Sequence, residues 1–404
     1  MNDVLLKKIP SWATIDGIQY PPRLSLEQCS SEITALYKSH LLSSSCGGSK
    51  GEAALVDLTG GFGVDTAFLA PDFSHADYVE QQSGLVEIAA HNFSVLGLPV
   101  RTHVADAVDY LQAMSPVDCI YLDPARRDGA GKKVMRIANC SPDVAQIQDL
   151  LLEKAPTVLI KLSPMLDIHA ALNDLNHVAE IHVVSVDNEC KELLFMMKRD
   201  FAGEPPIICV NLVGATLAVA HDTVVAHDTT VTHDTATTQQ GQGQGQALPL
   251  RQIKFYYSGE QSAVPHYCES VKKYLYEPNV AILKAGFFKG IATRYKVEKL
   301  HPNSHLYTSH ELISDFPGRI FEVESQAKSL SKNSLREFLK ESTAGAHPGG
   351  RPLEQANITT RNFPMSTAGL RKKLRLKEGG DVYLFATTIG KKAILIKTKK
   401  TVKS

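Results

Sequence analysis

Seven short apolar runs that alternate with helical stretches are the feature that most constrains the fold of this 404-residue chain. Turn-forming residues bound each run, and stretches such as 84–96 repeat apolar side chains at helical spacing. This alternation is typical of βαβ units with a mainly parallel sheet. We therefore predict an α/β fold with a doubly wound sheet, whose carboxyl-terminal strand ends share one edge. The predicted strands are 53–58, 76–80, 100–106, 117–123, 157–162, 180–186 and 207–212.

The rest of the chain divides into segments of different character. Residues 1–50 predict an N-terminal helical segment, with a capping box at Ser25–Gln28. Residues 51–275 hold the predicted sheet and, at 214–247, a low-complexity insertion in which His-Asp-Thr recurs at 221, 227 and 233. That insertion has too little apolar bulk to hold a metal geometry, so we expect a disordered loop between two strands.

Two small domains are predicted to follow the sheet domain. Residues 276–322 alternate strand and helix signals, and 323–404 end in a basic α+β module. In that module we expect a strand, a basic helix that starts near Ser366 and stops at Gly379-Gly380, and a hairpin that turns at Gly390.

Composition excludes several classes of protein. Apolar runs are too short to cross a membrane, and the N-terminus lacks the pattern of a secretory signal, so we expect a cytoplasmic protein without membrane contact. The seven cysteines are widely spaced and include no C-x-x-C. This spacing favours small buried apolar side chains over a disulfide framework, a zinc site or an iron–sulfur cluster.

The charge of the chain is balanced overall but unevenly distributed. Lys and Arg number 43, as do Asp and Glu, yet the residues from Asn357 onward carry 12 basic and two acidic side chains. A basic module on an acidic body fits a polyanionic partner such as RNA, although a solvated lysine-rich surface explains the charge equally well.

A glycine-rich loop follows the first predicted strand, in the motif Asp57-Leu-Thr59-Gly-Gly61-Phe-Gly63-Val-Asp65. Glycines there let the backbone approach a ligand closely. Phosphate-binding loops favour helix N-termini without a nearby anion, but carboxylates flank this loop and it contains neither Lys nor Arg. The loop therefore suits a cationic, phosphate-free cofactor, and S-adenosylmethionine has a sulfonium and an ammonium.

Further acids end the next three predicted strands, where such a cofactor needs them. Glu80 ends the second strand and can accept both ribose hydroxyls, Asp106 ends the third and can bind the adenine amine, and Asp123 ends the fourth. One acid at a strand end is more often a turn or cap residue, but four in succession favour a site.

At these motifs the chain resembles class I S-adenosylmethionine-dependent methyltransferases, in particular a bacterial family with a ferredoxin-like domain and a C-terminal THUMP-like domain. The resemblance implies a Rossmann-like seven-stranded methyltransferase sheet and cofactor contacts at Asp57, Gly61, Gly63, Glu80 and Asp106. Thr59, Asp65 and Asp123 are further candidates in the same motifs. It also implies a nucleic-acid-binding role for the basic tail, since THUMP domains bind tRNA. The stretches that carry the resemblance are 23–32, 57–65, 121–127, 161–167, 186–194, 275–279, 300–309 and 360–364.

The motif Asp123-Pro-Ala-Arg126-Arg127 occupies the place where amino-methyltransferases keep Asn/Asp-Pro-Pro-aromatic. Asp123 and Arg126 are the predicted catalytic residues, although Arg126 in the aromatic slot puts amine methylation by the usual arrangement in doubt. Arg126 and Arg127 suit a phosphate clamp or a base stack, or else pair with nearby acids. Lys161, which ends the fifth strand, either contacts substrate or snorkels to solvent.

Three functional hypotheses fit the sequence to different degrees. The first is a methyltransferase acting on structured RNA by direct in-line transfer, since no cysteine lies beside the Asp123 motif for a covalent intermediate. The second is an RNA-binding protein that kept the fold and lost catalysis. A nicotinamide oxidoreductase is disfavoured by the acids around the loop. The predicted RNA contacts lie on the basic helix and are Arg371, Lys372 and Arg375. A metal site is not expected in the histidine-rich stretch, because the spacing of a metal site is absent from His301, His305 and His310.

Overall fold

The computed structural model describes residues 7–21, 23–46, 52–126, 137–213, 252–327, 329–339 and 353–401. The predicted insertion at 214–247 and Arg127 lie outside the described residues. The chain divides into two compact units, Met1–Lys254 and Phe255–Ser404.

The first sheet consists of β1 (Ala54–Asp57), β2 (His75–Glu80), β3 (Val100–Val104), β4 (Cys119–Leu122), β7 (Thr157–Leu162), β8 (Val178–Val186), β9 (Glu189–Lys198), β10 (Ile207–Leu212) and β11 (Gln252–Phe255). Two further short strands, β5 (Ala125–Arg126) and β6 (Cys140–Ser141), pair with each other in a separate ribbon. The helices of this unit are α1 (Arg23–Gln28), α2 (Glu32–Ser45), α3 (Val64–Leu69), α4 (Ser83–Val95), α5 (Ala107–Ala113), α6 (Val144–Lys154) and α7 (Ile168–Asp174).

The strand order is β11-β10-β8-β9-β7-β4-β1-β2-β3. Parallel pairing joins β3, β2, β1, β4 and β7, whereas β9 runs antiparallel to both β7 and β8. The predicted Rossmann-like methyltransferase sheet is confirmed. All seven predicted strands are present in this nine-stranded sheet, and the two additional strands are β11 and β9. Strand β9 was not predicted, because its first half, Glu189–Glu192, is charged and breaks the apolar run.

Helices pack on the sheet through apolar stripes that form two buried clusters. The predicted helix at 84–96 is confirmed as α4, which buries Leu85, Val86, Ala89 and Phe93. Helix α2 of the N-terminal segment contributes Tyr37, Leu41 and Leu42 to one cluster and Ala35 to the other. The N-terminal segment is therefore part of the core of the first unit, because its apolar side chains are removed from water there.

Two expectations about the N-terminal half are wrong. Ser25 does not begin a helix, since it lies inside α1, and the next helix, α2, begins at Glu32. The structure also pairs Cys46 with Cys119 as a disulfide, with Cα atoms 6.3 Å apart. Their separation of 73 residues left no sequence signal for this pairing.

The second sheet has the order β13-β14-β12-β15-β18-β17-β16. Its strands are β12 (Tyr274–Pro278), β13 (Glu298–Lys299), β14 (Tyr307–Ser309), β15 (Gly318–Gln326), β16 (Asn357–Thr360), β17 (Val382–Ile389) and β18 (Lys392–Lys400). The helices of this unit are α8 (Tyr257–Ser262), α9 (Val280–Ala285), α10 (Gly290–Arg294), α11 (Lys332–Phe338) and α12 (Thr367–Leu374). None of the helices that the structure describes has the length and apolar character that a membrane span requires.

The basic tail largely folds as expected. Ser366 caps α12 by accepting a hydrogen bond from the Gly369 amide, and Gly390 turns the β17–β18 hairpin at φ 55°. The predicted stop at Gly379-Gly380 is wrong, because α12 ends at Leu374 and Arg375 takes the left-handed conformation that closes it. Leu370, Leu374 and Leu376 are buried, as the leucine spacing predicts.

Candidate active site

The predicted acids lie at the carboxyl ends of four neighbouring strands. Asp57 ends β1 and Glu80 ends β2, Asp123 follows β4 directly, and Asp106 lies two residues beyond β3. Because these strands pair in parallel in the order β3-β2-β1-β4, their carboxyl ends meet at one edge of the sheet. The edge therefore carries a row of carboxyl groups beside the glycine-rich loop.

The loop between β1 and α3 turns sharply through its glycines. Gly61 and Gly63 have φ values of 54° and 84°, in the left-handed region that glycine adopts without strain. Gly60 lies against the ring of Tyr78, where an added Cβ would stand 2.0 Å from Cε2. The Tyr78 hydroxyl donates to the Gly61 carbonyl at 2.6 Å. The glycines thus let the loop fold closely over the end of β2.

Asp57 is the most deeply buried acid of the row, with 1% of its surface exposed. Its carboxylate accepts hydrogen bonds from the Thr59 amide at 3.0 Å and from the Thr66 hydroxyl at 2.6 Å. Burial, with a smaller contribution from the charges of Asp65 and Asp123, raises the pKa of this carboxyl to about 7, although the two hydrogen bonds lower it. No Lys, Arg or His of the described residues forms an ion pair with Asp57 within 4.0 Å. Such a carboxyl favours a cationic ligand.

Glu80 and Asp106 each bind backbone amides and keep acceptor capacity. Glu80 Oε2 accepts from the Gly61 amide at 3.1 Å and Oε1 from the Gln82 amide at 2.9 Å. Asp106 Oδ1 caps α5 by accepting from the Val108 and Asp109 amides. These bonds fix both carboxyl groups, and because each carboxylate offers about four acceptor positions, both can still accept from hydroxyls or an amine.

Thr59 connects the loop to the Asp123 motif. Its hydroxyl accepts from the Asp123 amide at 2.5 Å, so its side chain is used within the protein. Asp123 Oδ2 lies 2.5 Å from Lys161 Nζ, at the ends of the adjacent strands β4 and β7. Burial lowers the pKa of Lys161, but the charges of Asp123, Asp65 and Glu192 outweigh it and raise the pKa above its ordinary value. Lys161 is therefore a permanent cation beside Asp123 rather than a base.

Asp65 belongs to a buried network that the sequence did not reveal. Its Oδ2 accepts from the hydroxyls of Ser30 and Tyr121, both at 2.7 Å, and its Oδ1 lies 3.2 Å from Lys38 Nζ. Lys38 is fully buried and also contacts Glu192 at 2.8 Å. Burial raises the pKa of Asp65, but Lys38 and Lys161 outweigh it and lower the pKa. The network joins α2, α3, β4 and β9.

Besides Lys161 of β7, the predicted substrate residues that the structure describes fall in two places. Arg126 lies in the β5–β6 ribbon just beyond Asp123. Lys372 of α12 and Arg375, which closes that helix, are exposed, whereas Arg371 donates to the Ala356 carbonyl at 3.1 Å and lies 3.6 Å from Glu378. Arg371 thus holds the residue directly before β16, and the exposed cations beside it are the ones open to a ligand.

The histidine-rich stretch has structural contacts of its own. His301 Nδ1 pairs with the side chain of Asn362 at 2.9 Å, and the ring of His305 stacks on Phe288 with centroids 3.6 Å apart. In the part of the chain that the structure describes, His, Cys, Asp and Glu form no group of three or more placed to hold a metal ion.

The geometry of the edge matches one class of ligand. Asp57 provides a negative charge without a cationic partner among the described side chains, Glu80 can accept from paired hydroxyls, and Asp106 can accept from an amine. A ligand with a cationic end, a ribose and an aminated base satisfies all three. The residues present therefore fit S-adenosylmethionine.

Comparisons with known proteins place the chain among methyltransferase-like structures. A proposed methyltransferase from Porphyromonas gingivalis W83 is 34% identical, with 99% of this chain and 88% of that chain covered and a TM-score of 0.78. A proposed class I S-adenosylmethionine-dependent methyltransferase from Listeria monocytogenes is 12% identical, with 50% and 71% covered and a TM-score of 0.37. A proposed methyltransferase from Streptococcus mutans, in complex with SAH, is 15% identical, with 40% and 95% covered and a TM-score of 0.31.

Two domain families match the C-terminal part of the chain. The ferredoxin-like domain matches residues 274–317, and the THUMP domain-like family matches residues 318–400. The curated proteins include no match to the chain.

Replacing Asp57 by Asn is expected to stabilise the protein at pH 8. The folded-state pKa of about 7 exceeds the ordinary 3.8, so this group's contribution to stability is greatest at low pH and falls as pH rises from about 4 to 7. The neutral amide would avoid the buried charge, and we expect a free energy of unfolding higher by roughly 1 to 4 kcal/mol at pH 8. At pH 4 the gain should vanish. Thermal melts at both values measure it.

Asp77→Asn is the matched control for this prediction. Asp77 is also a buried strand carboxyl, but it pairs with Arg101 at 2.6 Å and His103 at 2.8 Å. Its replacement should lower the melting temperature at pH 8, because it removes paired contacts. An Asp57→Asn protein that melts below wild type at pH 8 would contradict the assignment of an unpaired carboxylate.

Proposed function

Because the chain belongs to the family of class I methyltransferase-fold proteins with a ferredoxin-like domain and a C-terminal THUMP-like domain, we propose that it is an S-adenosylmethionine-dependent methyltransferase acting on structured RNA. The observation that carries the proposal is Asp57, a buried carboxyl without an ion-pair partner among the described residues, beside a glycine-rich turn at the carboxyl edge of the sheet.

In this assignment each residue of the edge has a separate task. Asp57 holds the cationic amino-acid end of the cofactor, Glu80 accepts from the ribose hydroxyls and Asp106 from the adenine amine. Gly61 and Gly63 have no side chains, so the loop backbone can lie close to the cofactor at these two positions. Glu80 and Asp106 already accept hydrogen bonds from backbone amides, and these bonds fix both carboxyl groups before the ligand arrives. The entropy cost of binding is therefore lower.

The cofactor supplies a methyl group that its sulfonium already activates. The protein then has to place the acceptor atom and exclude water, which favours direct transfer without a covalent enzyme intermediate. Asp123 is suited to accept a hydrogen bond from the acceptor group, and Lys161, 2.5 Å away, holds that carboxylate in place and balances its charge. Arg126, on the ribbon beyond Asp123, is suited to bind an RNA phosphate or stack on a base.

The C-terminal unit supports RNA as the substrate class. Its last 48 residues carry 12 basic and two acidic side chains, and Lys372 and Lys373 of α12 and Arg375 directly after it are exposed. The leucines of the same helix are buried, so α12 presents its cations to solvent on a fixed surface. A rigid cationic surface binds a polyanion more tightly than a flexible tail of the same charge.

Purified protein is expected to bind S-adenosylmethionine, and Asp57→Asn should weaken that binding at least tenfold. A hydrogen bond to a charged partner contributes about 1.5 to 3 kcal/mol. Affinity should also rise with pH through about 7, since the cation favours the ionised carboxyl. Titration calorimetry in buffers of different ionisation heat measures both the affinity and the released proton. Asp77→Asn should bind as wild type does, and equal affinity of Asp57→Asn would refute the assignment.

The exposed cations of α12 are expected to bind RNA. Lys372→Glu with Arg375→Glu should weaken binding of bulk tRNA at least tenfold, and wild-type affinity should fall by roughly 0.7 to 0.9 log units per log unit of salt for each neutralised phosphate. Fluorescence anisotropy at two salt concentrations measures both effects. Lys391→Glu with Lys392→Glu makes the same charge change at the hairpin and should cost less than threefold. An equal loss for both pairs would mean that net charge, not α12, attracts the RNA.

Cells that lack the gene are expected to lose one methylated nucleoside from tRNA or rRNA. Wild-type protein should restore it, whereas Asp57→Asn and Asp123→Ala should not. Mass spectrometry of digested RNA fractions measures the modification. RNA binding with an unchanged set of modifications would instead favour the alternative, a methyltransferase-fold RNA-binding protein without catalysis.

A further inference from the structure

The N-terminal helical segment contacts the glycine-rich loop at two points, and we infer that it is a clamp that sets the loop in its cofactor-binding shape. The clamp is defined by Trp12, Ser30 and Lys38, which act on Phe62 and Asp65 of the loop. These are positioning residues, because they act on the cofactor site through Phe62 and Asp65 of the loop. The inference rests on the proposed function, since it gives the clamp its ligand.

The polar contact holds the far end of the loop. Asp65 lies in the first turn of α3, two residues after Gly63. The Ser30 hydroxyl donates to Asp65 Oδ2 at 2.7 Å, and Lys38 Nζ lies 3.2 Å from Oδ1 and donates to Ser30 at 3.1 Å. Ser30 is 7% exposed and Lys38 is not exposed at all. Charged contacts removed from water in this way hold their geometry tightly.

The apolar contact holds the middle of the loop. Phe62, between the two left-handed glycines, meets the edge of Trp12 with ring centroids 5.5 Å apart and planes at 77°. Both rings are almost fully buried, with 4% of Phe62 and 3% of Trp12 exposed. Trp12 also stacks on Phe68 of α3 at 6.3 Å. One aromatic ring of the N-terminal segment thus packs on both the loop and the helix that follows.

The loop needs such support because its own backbone provides little. Glycines have more conformational freedom than other residues, so a loop with three of them loses more entropy when it is ordered. Contacts made before the ligand arrives remove that cost from binding. Asp65, which accepts from Ser30 and Tyr121 and pairs with Lys38, is therefore assigned to the clamp rather than to the cofactor.

A pair of matched hydroxyl deletions tests the clamp. Ser30→Ala removes a bond to Asp65, whereas Tyr37→Phe removes a bond of equal length, 2.7 Å, from the same segment to His182 of β8, away from the loop. We expect Ser30→Ala to weaken S-adenosylmethionine binding at least fivefold by calorimetry and Tyr37→Phe to leave it within twofold. Ser30→Thr, which keeps the hydroxyl, should restore most of the affinity. A stability role alone would not separate the three variants in this way.

The aromatic contact gives an independent readout, since Trp12 is the single tryptophan of the chain. In ligand-free Ser30→Ala, acrylamide should quench Trp12 fluorescence more than in wild type, and saturating S-adenosylmethionine should remove the difference. Undiminished affinity and equal quenching in Ser30→Ala would overturn the clamp while leaving the proposed function standing. A wild-type protein that does not bind S-adenosylmethionine would overturn the proposed function instead.

Should Ser30→Ala fail to fold, Trp12→Leu tests the same inference through Phe62. This variant should weaken cofactor binding at least threefold, because it removes the aromatic edge against the loop. Leu42→Ala, a core deletion in the other apolar cluster, is its control and should bind the cofactor as wild type does. Equal binding by Trp12→Leu and wild type would overturn the clamp.

Discussion

Parallel pairing of β1 with β2 and β4 is the constraint on which the site depends. Parallel strands joined by crossover helices all end at the same edge, so acids far apart in the sequence become neighbours without direct contact between them. The arrangement also gathers like charges, which is why Asp123 adds to the raised pKa of Asp57, as does Asp65 in the first turn of α3. A fold that aligns strand ends therefore creates a negative surface, and a cationic ligand is the natural partner for it.

The features that could be predicted from sequence are those with a local signal. Strands such as Thr157–Leu162 are continuous apolar runs, and the loop glycines stand in a recognisable motif. Strand β9 carried a weaker sequence signal, the pair Asp187-Asn188, whose residue types are common in two-residue hairpin turns. In the structure both residues have positive φ values, 49° and 64°, as such a turn requires. The Lys38 network carried none. Lys38 and Glu192 are 154 residues apart, and a lysine in an amphipathic helix normally faces water.

Hydrogen bonding in the C-terminal half does not follow the limits of the matched domain families. Strand β12 begins the ferredoxin-like match and β15 begins the THUMP-like match, yet the two pair antiparallel in one sheet. Buried Glu277 of β12 contacts Arg319 of β15 and, at 3.1 Å, Arg361 beyond β16. Part of the positive charge of the tail is therefore used inside the unit. Counting basic residues therefore overstates the charge that an RNA would meet, and Lys372 and Lys373 of α12 are among the cations that stay exposed.

The two buried acids of the loop motif, Asp57 and Asp65, differ in their partners and therefore in their pKa values. Asp65 has an ammonium 3.2 Å away, and that charge lowers its pKa, whereas Asp57, eight residues earlier, has no such partner among the described residues and its pKa rises to about 7. Burial costs both carboxylates the same kind of desolvation free energy; both recover part of it through hydrogen bonds, but among the described residues only Asp65 also has an ion pair. The unpaired carboxylate recovers it when a cation binds. The sequence motif places both acids alike around the glycines, and only their burial and partners distinguish the ligand-binding acid from the structural one.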